Sequence, residues 1–360
     1  MAVILAARRT AVVPRGGAFA RLRIEDLAAP VLRAVLADAG LDPGAVDEVI
    51  LSNALGAGGN PARRAALLAG LPQRVAGLTT DRQCAGGLDA ILLAAALVDS
   101  GAARVVIAGG AESYSRRPLR LATDPAGGDP QPYDAPPFTP WPDRDPDMTD
   151  AAAALAGRLG ISRQAQEDWA VESHRKALAS GDPPEIVALD GMTRDAFARA
   201  LTPATARRAK VLAGSITTAT AAVAADAAAF VVVARDDMAG PRALRIGPGV
   251  TLGALPEEPG LAPVPAIAEA LRRAGLAPAA LARVELMEAY AVQAIACAQG
   301  AGLDPACINP AGGALARGHP IGASGAILAV SLFHGLQSGH GLAAIAAAGG
   351  LGTAVLFRRQ

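Results

Sequence analysis

The chain repeats itself, and the repeat limits what it can fold into. The stretches Ala34–Leu51 and Glu269–Leu286 both run as a helix-forming segment, an Ala-Gly-Leu-x-Pro stop and an apolar run. Their glycines, Gly40 and Gly275, lie 235 positions apart. Glycine at a helix end with proline soon after is a physical stop signal. A second pair follows in the same order. Gly86-Gly-Leu-Asp-Ala-Ile-Leu leads through Ser100-Gly101 to Gly109-Gly110, and Gly322-Ala-Ser-Gly-Ala-Ile-Leu leads through Ser338-Gly339 to Gly349-Gly350. Each is a small-residue helix followed by a continuous apolar run, the pattern of a strand buried on both faces.

Two α/β halves, residues 1–117 and 240–360, are therefore expected to pack as a pseudo-twofold pair. Helices of Ala, Gly and Leu permit close approach and suit the middle of a layered core. An insert, residues 118–213, separates the halves. Nine of the 27 prolines fall between Pro118 and Pro146, which predicts irregular extended chain. Thr149–Ala179 reads as two helices broken at Gly160. Residues 214–239 read as a return to the core, with one long apolar strand from Gly214 to Arg235.

With 360 residues there is enough chain for a full core, and a formal net charge of zero leaves no broad field for nucleic acid or a membrane surface. Three cysteines (Cys84, Cys297, Cys307) without CxxC spacing fit a reducing compartment. Four histidines show no zinc spacing, so no metal is expected. The N-terminal apolar run precedes its arginines, the reverse of a signal peptide, and reads as a first strand. A cytoplasmic protein is expected.

Two residues stand where chemistry is feasible. Cys84 lies in Asp81-Arg-Gln-Cys-Ala-Gly-Gly between an expected strand and the first small-residue helix. A thiol at a helix N-terminus feels the positive end of the helix dipole, which favours thiolate. The competing reading is a buried structural cysteine, the commoner fate. His319 lies in a glycine-rich loop ahead of the equivalent helix of the second half. If the helix N-termini meet at the dyad, the two side chains come together as the base–nucleophile pair of an acyl-thioester enzyme. A satisfied core histidine is the alternative.

The motifs around these residues are specific. Arg82-Gln-Cys-Ala-Gly-Gly-Leu88 resembles the acyl-cysteine motif of thiolases. Gly312-Gly-Ala-Leu-Ala-Arg-Gly-His-Pro-Ile-Gly-Ala-Ser-Gly325 resembles their Gly-His-Pro signature. Gly110-Ala-Glu-Ser113, Ile161 through His174, and Glu288-Ala-Tyr-Ala291 match in order. The chain is identified on these motifs as a thiolase-superfamily member. The resemblance implies a five-layer αβαβα fold with two duplicated halves and an inserted loop domain, and at least a homodimer. It also implies that an acyl-CoA is the substrate, with no bound cofactor. In that family the cysteine accepts the acyl group and the histidine activates it, roles that fall on Cys84 and His319. The backbone amides of Cys84 and Ala348 would form the oxyanion hole.

Four features depart from the family pattern. The second catalytic cysteine, which moves the proton of the attacking nucleophile, is replaced by Ala346. Met287 stands where an asparagine orients a water. Ala222 takes the place of a serine near coenzyme A. The short insert does not resemble the tetramer-forming loop, which puts a tetramer in doubt. Cys297 and Cys307 read as structural. Arg207, Arg208 and Lys210 are candidate contacts for coenzyme A phosphates, beside the alternative of a solvated turn. Tyr133, Phe138 and Trp141 are candidate acyl-pocket aromatics. The losses fall on the second half-reaction, so the expected function is acyl loading onto Cys84 and transfer to an acceptor that needs no second cysteine. Two other readings stand beside it: an ordinary acetyl-CoA acetyltransferase or 3-ketoacyl-CoA thiolase with a substitute base such as Glu288, and a non-catalytic relative that binds acyl-CoA or a thiolase partner.

Overall fold

A computed structural model describes residues 1–56 and 58–360. One sheet runs the length of the molecule. Its N-terminal part holds β1 (Ala2–Arg9), β2 (Glu48–Ser52), β3 (Ala76–Thr80), β4 (Val105–Glu112) and β5 (Ala225–Arg235). Its C-terminal part holds β6 (Leu244–Gly253), β7 (Leu281–Leu286), β8 (Gly339–Ala347) and β9 (Leu351–Arg359). The strand order is β7-β8-β9-β6-β1-β5-β4-β2-β3. The two parts share a pattern. β1, β5 and β4 are successively antiparallel and β4 pairs β2 in parallel; β6, β9 and β8 are antiparallel and β8 pairs β7 in parallel. They join where β1 meets β6, through Val3 with Arg245 and Ile4 with Leu244.

The sheet wraps two central helices, α3 (Gly86–Asp99) and α8 (Ile321–Gly335). Ile91, Ala94, Ala326 and Val330 pack there with Val106 and Val231 from one part of the sheet and Ile345 and Phe357 from the other. Small residues make the crossing possible. A Cβ on Gly87 would lie 2.7 Å from the Ala326 nitrogen, and one on Gly325 would lie 2.5 Å from the Leu88 nitrogen. The outer layers are α1 (Ile24–Ala39) and α2 (Pro61–Leu68) on the N-terminal part, and α6 (Pro263–Ala274) on the C-terminal part. The repeat is visible in α1 and α6, which end on left-handed glycines, Gly40 (φ 64°) and Gly275 (φ 65°).

Between the parts, α4 (Met148–Leu159) and α5 (Arg163–Ala179) are separated by left-handed Gly160, as the sequence predicts. The proline-rich stretch is largely irregular but pairs Arg120–Ala122 with Gln131–Tyr133 as a small hairpin. One expectation fails. The long strand begins at Ala225, not Gly214; Ile216–Thr217 instead pairs back on Val211–Ala213. Thr217 and Thr220 bond each other's backbone and hydroxyl groups, which turns the chain before it enters the sheet.

Candidate active site

Cys84 sits on a sharp turn from β3 into α3. The Gln83 amide is held by Asp81 Oδ1 at 2.8 Å, and Gln83 adopts φ 50°, a left-handed conformation that non-glycine residues rarely occupy. Such a conformation costs on the order of 1–3 kcal/mol and is found where the surroundings over-determine it. Here it lifts Cys84 to the N-terminal end of α3, with Ala85 as the cap residue.

His319 follows a short helix, Ala314–Arg317, and Gly318. Its amide donates to Val223 O at 2.7 Å. The same segment binds the loop before α7 (Ala291–Gly300): the Ala222 amide donates to Ala289 O at 2.9 Å. One extended stretch, residues 221–224, therefore holds the Tyr290 and His319 loops side by side.

The two side chains meet. His319 Nε2 lies 3.1 Å from Cys84 Sγ, across 235 residues of sequence. Nδ1 lies 2.7 Å from Ser324 Oγ, and that hydroxyl donates to Pro320 O at 3.0 Å. A serine hydroxyl has one proton. Spent on Pro320, it leaves oxygen lone pairs for Nδ1–H, so the ring carries its proton on Nδ1 and turns a lone pair from Nε2 toward the thiol.

Burial governs the protonation of this pair. The Cys84 thiol is pushed up to about 12, first by desolvation and further by the nearby Glu112 and Asp81 carboxylates; hydrogen bonds from the backbone amides of Cys84 and Ala348 oppose the rise. Desolvation takes His319 down to about 4. The sequence argument expected the helix N-terminus to favour thiolate, and here the cost of burying a charge outweighs it. The resting pair is a neutral thiol facing a neutral imidazole.

A cavity of about 260 Å³ opens over Cys84 and His319. Its α4 wall is Met148, Ala151, Ala152 and Leu155, one helical face. Tyr114, Phe138 and Tyr290 line it as well. Tyr290 OH pairs with Thr149 Oγ1 at 3.1 Å, and burial raises its phenol. Glu258 reaches the rim but is held by Arg158 at 3.0 Å.

The remaining predicted residues divide. Ala346, Ala348 and Ala222 line the cavity. Met287 does not: its side chain is buried in the central core. Of the three predicted aromatics only Phe138 reaches the cavity; Tyr133 and Trp141 are exposed. Arg207, Arg208 and Lys210 form an exposed turn outside the cavity wall. Cys297 is buried and donates to Gly260 O at 3.0 Å, and Cys307 lies elsewhere, half-buried. Glu288 is fully engaged. It accepts from Trp169 Nε1, Ser173 Oγ, Asn309 Nδ2 and the Leu315 amide at 2.7–3.2 Å. It ties α5 to the loop carrying His319 and does not reach the cavity, so it is no base for a substrate there. The α4 wall and the two tyrosines were missed by sequence reasoning. The spacing of positions 148, 151, 152 and 155 was the available signal for the former.

Comparison with known proteins agrees with this architecture. The family model for the thiolase N-terminal domain matches residues 2–237, and that for the thiolase C-terminal domain matches residues 243–359. The chain belongs to the thiolase family. Among thiolase relatives, a Bacillus subtilis protein named "Putative acetyl-CoA C-acetyltransferase YhfS" is 38% identical over 378 residues, covering 99% of this chain and 98% of that protein. The crystal structure of the Bacillus anthracis acetyl-CoA acetyltransferase superposes with a TM-score of 0.91 at 30% identity, covering 100% of this chain and 98% of that one. An Ascaris suum thiolase in complex with coenzyme A gives 0.92 at 28% identity, with both chains fully covered. The five-layer thiolase fold expected from the motifs is thus the fold of this chain.

Proposed function

We propose that the protein is a thiolase-like acyltransferase that takes an acyl group from an acyl-CoA, or a similar thioester, onto Cys84. The observation that carries this reading is the 3.1 Å contact between Cys84 Sγ and His319 Nε2 at the floor of a largely apolar cavity. As the thioester carbonyl approaches, His319 Nε2 takes the thiol proton and Sγ attacks the carbonyl carbon. The developing oxyanion is received by the backbone amides of Cys84 and Ala348, two residues that line the cavity. Collapse breaks the bond to the leaving sulfur, and the proton on His319 passes to the departing coenzyme A thiolate. The balance is one thiol and one thioester on each side. Coupling proton transfer to attack removes the need for a resting thiolate, which the buried site disfavours.

The acyl group then passes to an acceptor. Ala346 offers no proton-transfer group, and Glu288 is committed to four donors. The acceptor is therefore one that activates itself, one that generates its carbanion by losing carbon dioxide, or water. The relatives' names favour a second reading, acetyl-CoA C-acetyltransferase activity by a route that dispenses with the second cysteine. Intact-mass measurement after incubation with acetyl-CoA and longer acyl-CoAs tests the first step, with Cys84→Ala as control. An acyl adduct in the wild type alone is expected. No adduct with any donor would sink both enzymatic readings and leave a binding role.

A further inference from the structure

A second cavity, of about 450 Å³, shares no lining residue with the one above Cys84. It is bounded by the β1 end, the α5 end with the segment after it, α8, and the short helix before His319. Its acidic groups are already committed. Glu185 and Asp195 both bind the fully buried Arg9, at 3.1 and 2.6 Å, and Asp182 binds Arg194 at the surface at 2.6 Å. Of its cations, Arg9 and Arg194 take those carboxylates, whereas Arg283 and Arg317 keep donors without a partner among the described residues. Arg283 uses Nε on Glu285 at 2.8 Å, leaving its two terminal nitrogens without a partner among the described residues. Arg317 is 95% buried (5% exposed) and lines the cavity. It is close enough to Asp195 and Glu285 to favour their ionised forms, although burial leaves Glu285 raised, yet it makes no hydrogen bond or ion pair among the described residues. Ser331, on the same wall, has a buried hydroxyl with no partner.

Asp195 and Glu285 balance the charge of Arg317 from a distance but take none of its N–H donors, and that planar donor fork matches the oxygens of carboxylates and phosphates. We propose that this cavity is a binding site for a small oxyanion, a carboxylate or a phosphate, held on Arg317 with Arg283 as the second contact. Arg317 is two residues from His319, with only Gly318 between them. A bound anion fixes the end of the helix from which the His319 loop departs, so the site is coupled to the chemistry without touching the substrate.

The test uses the full chain in anion-poor buffer, titrated separately with inorganic phosphate and with succinate by calorimetry, with melting temperature as second readout. Saturable binding of one anion per chain is expected, equal in wild type and Cys84→Ala, and undiminished by saturating coenzyme A. The anion that binds identifies the source, inorganic phosphate or an organic acid. Arg317→Met should weaken binding at least tenfold. It should also lose the anion-dependent rise in melting temperature that the wild type shows. Arg317→Lys, which keeps the charge and loses the fork, should fall between. If Arg317→Met does not fold, Arg317→Lys and Arg283→Gln decide by the same readout. No binding of either anion at millimolar concentration, binding unchanged in the Arg317 variants, or displacement by coenzyme A would each overturn the proposal.

Discussion

Ser324→Ala isolates the part of the site that sets the histidine tautomer. Ser324 sits on the first turn of α8, outside the cavity wall, and accepts from His319 Nδ1 at 2.7 Å while donating to Pro320 O at 3.0 Å. Removing the hydroxyl leaves a buried Nδ1–H without an acceptor, at a cost of about 1–3 kcal/mol. The ring recovers that cost by moving its proton to Nε2, the nitrogen that faces Cys84, and an Nε2–H cannot accept the thiol proton. The penalty therefore falls on the acylation barrier. At about 1.4 kcal/mol per decade it amounts to a fall of about 5- to 150-fold in the rate of Cys84 acylation. Quenched-flow single-turnover acylation by acetyl-CoA, read by intact mass, measures it. Apparent affinity for the donor should not change, because Ser324 does not line the cavity. Acylation within about twofold of wild type, in a folded variant, would refute both the tautomer assignment and the role of Nε2 as proton acceptor.

Two further outcomes follow from the same geometry. With His319 down to about 4 and Cys84 up to about 12, both groups stay neutral from pH 5 to 9. Glu112, raised by burial to about 7, acts on Cys84 and can titrate within that range. With Glu112→Gln the single-turnover acylation rate should be flat there and fall only as pH approaches 4 and His319 takes a proton. An inflection between pH 6 and 8 that persists in this variant would report a thiolate–imidazolium pair and contradict the burial argument. Ala346→Cys puts a thiol on the cavity wall where the family's second cysteine stands. It should raise thiolysis of acetoacetyl-CoA by up to about 10²–10⁴-fold, the usual worth of a general acid–base group; a folded variant that still loads Cys84 but gains no thiolysis would show that Met287 or the pocket limits the second half-reaction.

Much of the fold was legible because duplication writes each signal twice. Gly40 alone is an ordinary helix stop; Gly40 and Gly275 with matching Pro and strand segments describe two copies of one unit. The Cys84–His319 contact was legible for the same reason, since both residues precede equivalent helices. What failed was set by burial and by contacts distant in sequence. The thiol's protonation could not be read from its position at α3, because burial in the core, with a smaller push from Glu112, outweighs the helix end. The strand start was misplaced because the Thr- and Ala-rich run between Ile216 and Ala224 read as continuous strand, whereas Thr217 and Thr220 close a local turn. Met287 was read by motif alignment as standing where an asparagine orients a water, and its side chain enters the core. Arg317 lies within the Gly-His-Pro segment, which gives it no role of its own, and only the lack of a direct partner among the described residues marks it.

The cavity itself constrains the acceptor. Besides Cys84 and His319, its ionisable groups are Tyr114, Tyr290 and Glu258. Tyr290 is raised by burial and stays protonated, so it serves as a donor and not as a base. Glu258 is paired with Arg158 at the rim. After loading, His319 has returned its proton to the leaving thiol and is again a neutral imidazole at a low pKa, a weak base for a carbon acid. A substrate whose carbon must be deprotonated meets no strong base in this cavity. On the proposed mechanism, a substrate that arrives as a nucleophile, or makes its own carbanion by losing carbon dioxide, needs only the oxyanion hole and the thioester. Under that proposal, alanine in place of the second cysteine changes which acceptor is used and leaves the loading of Cys84 intact.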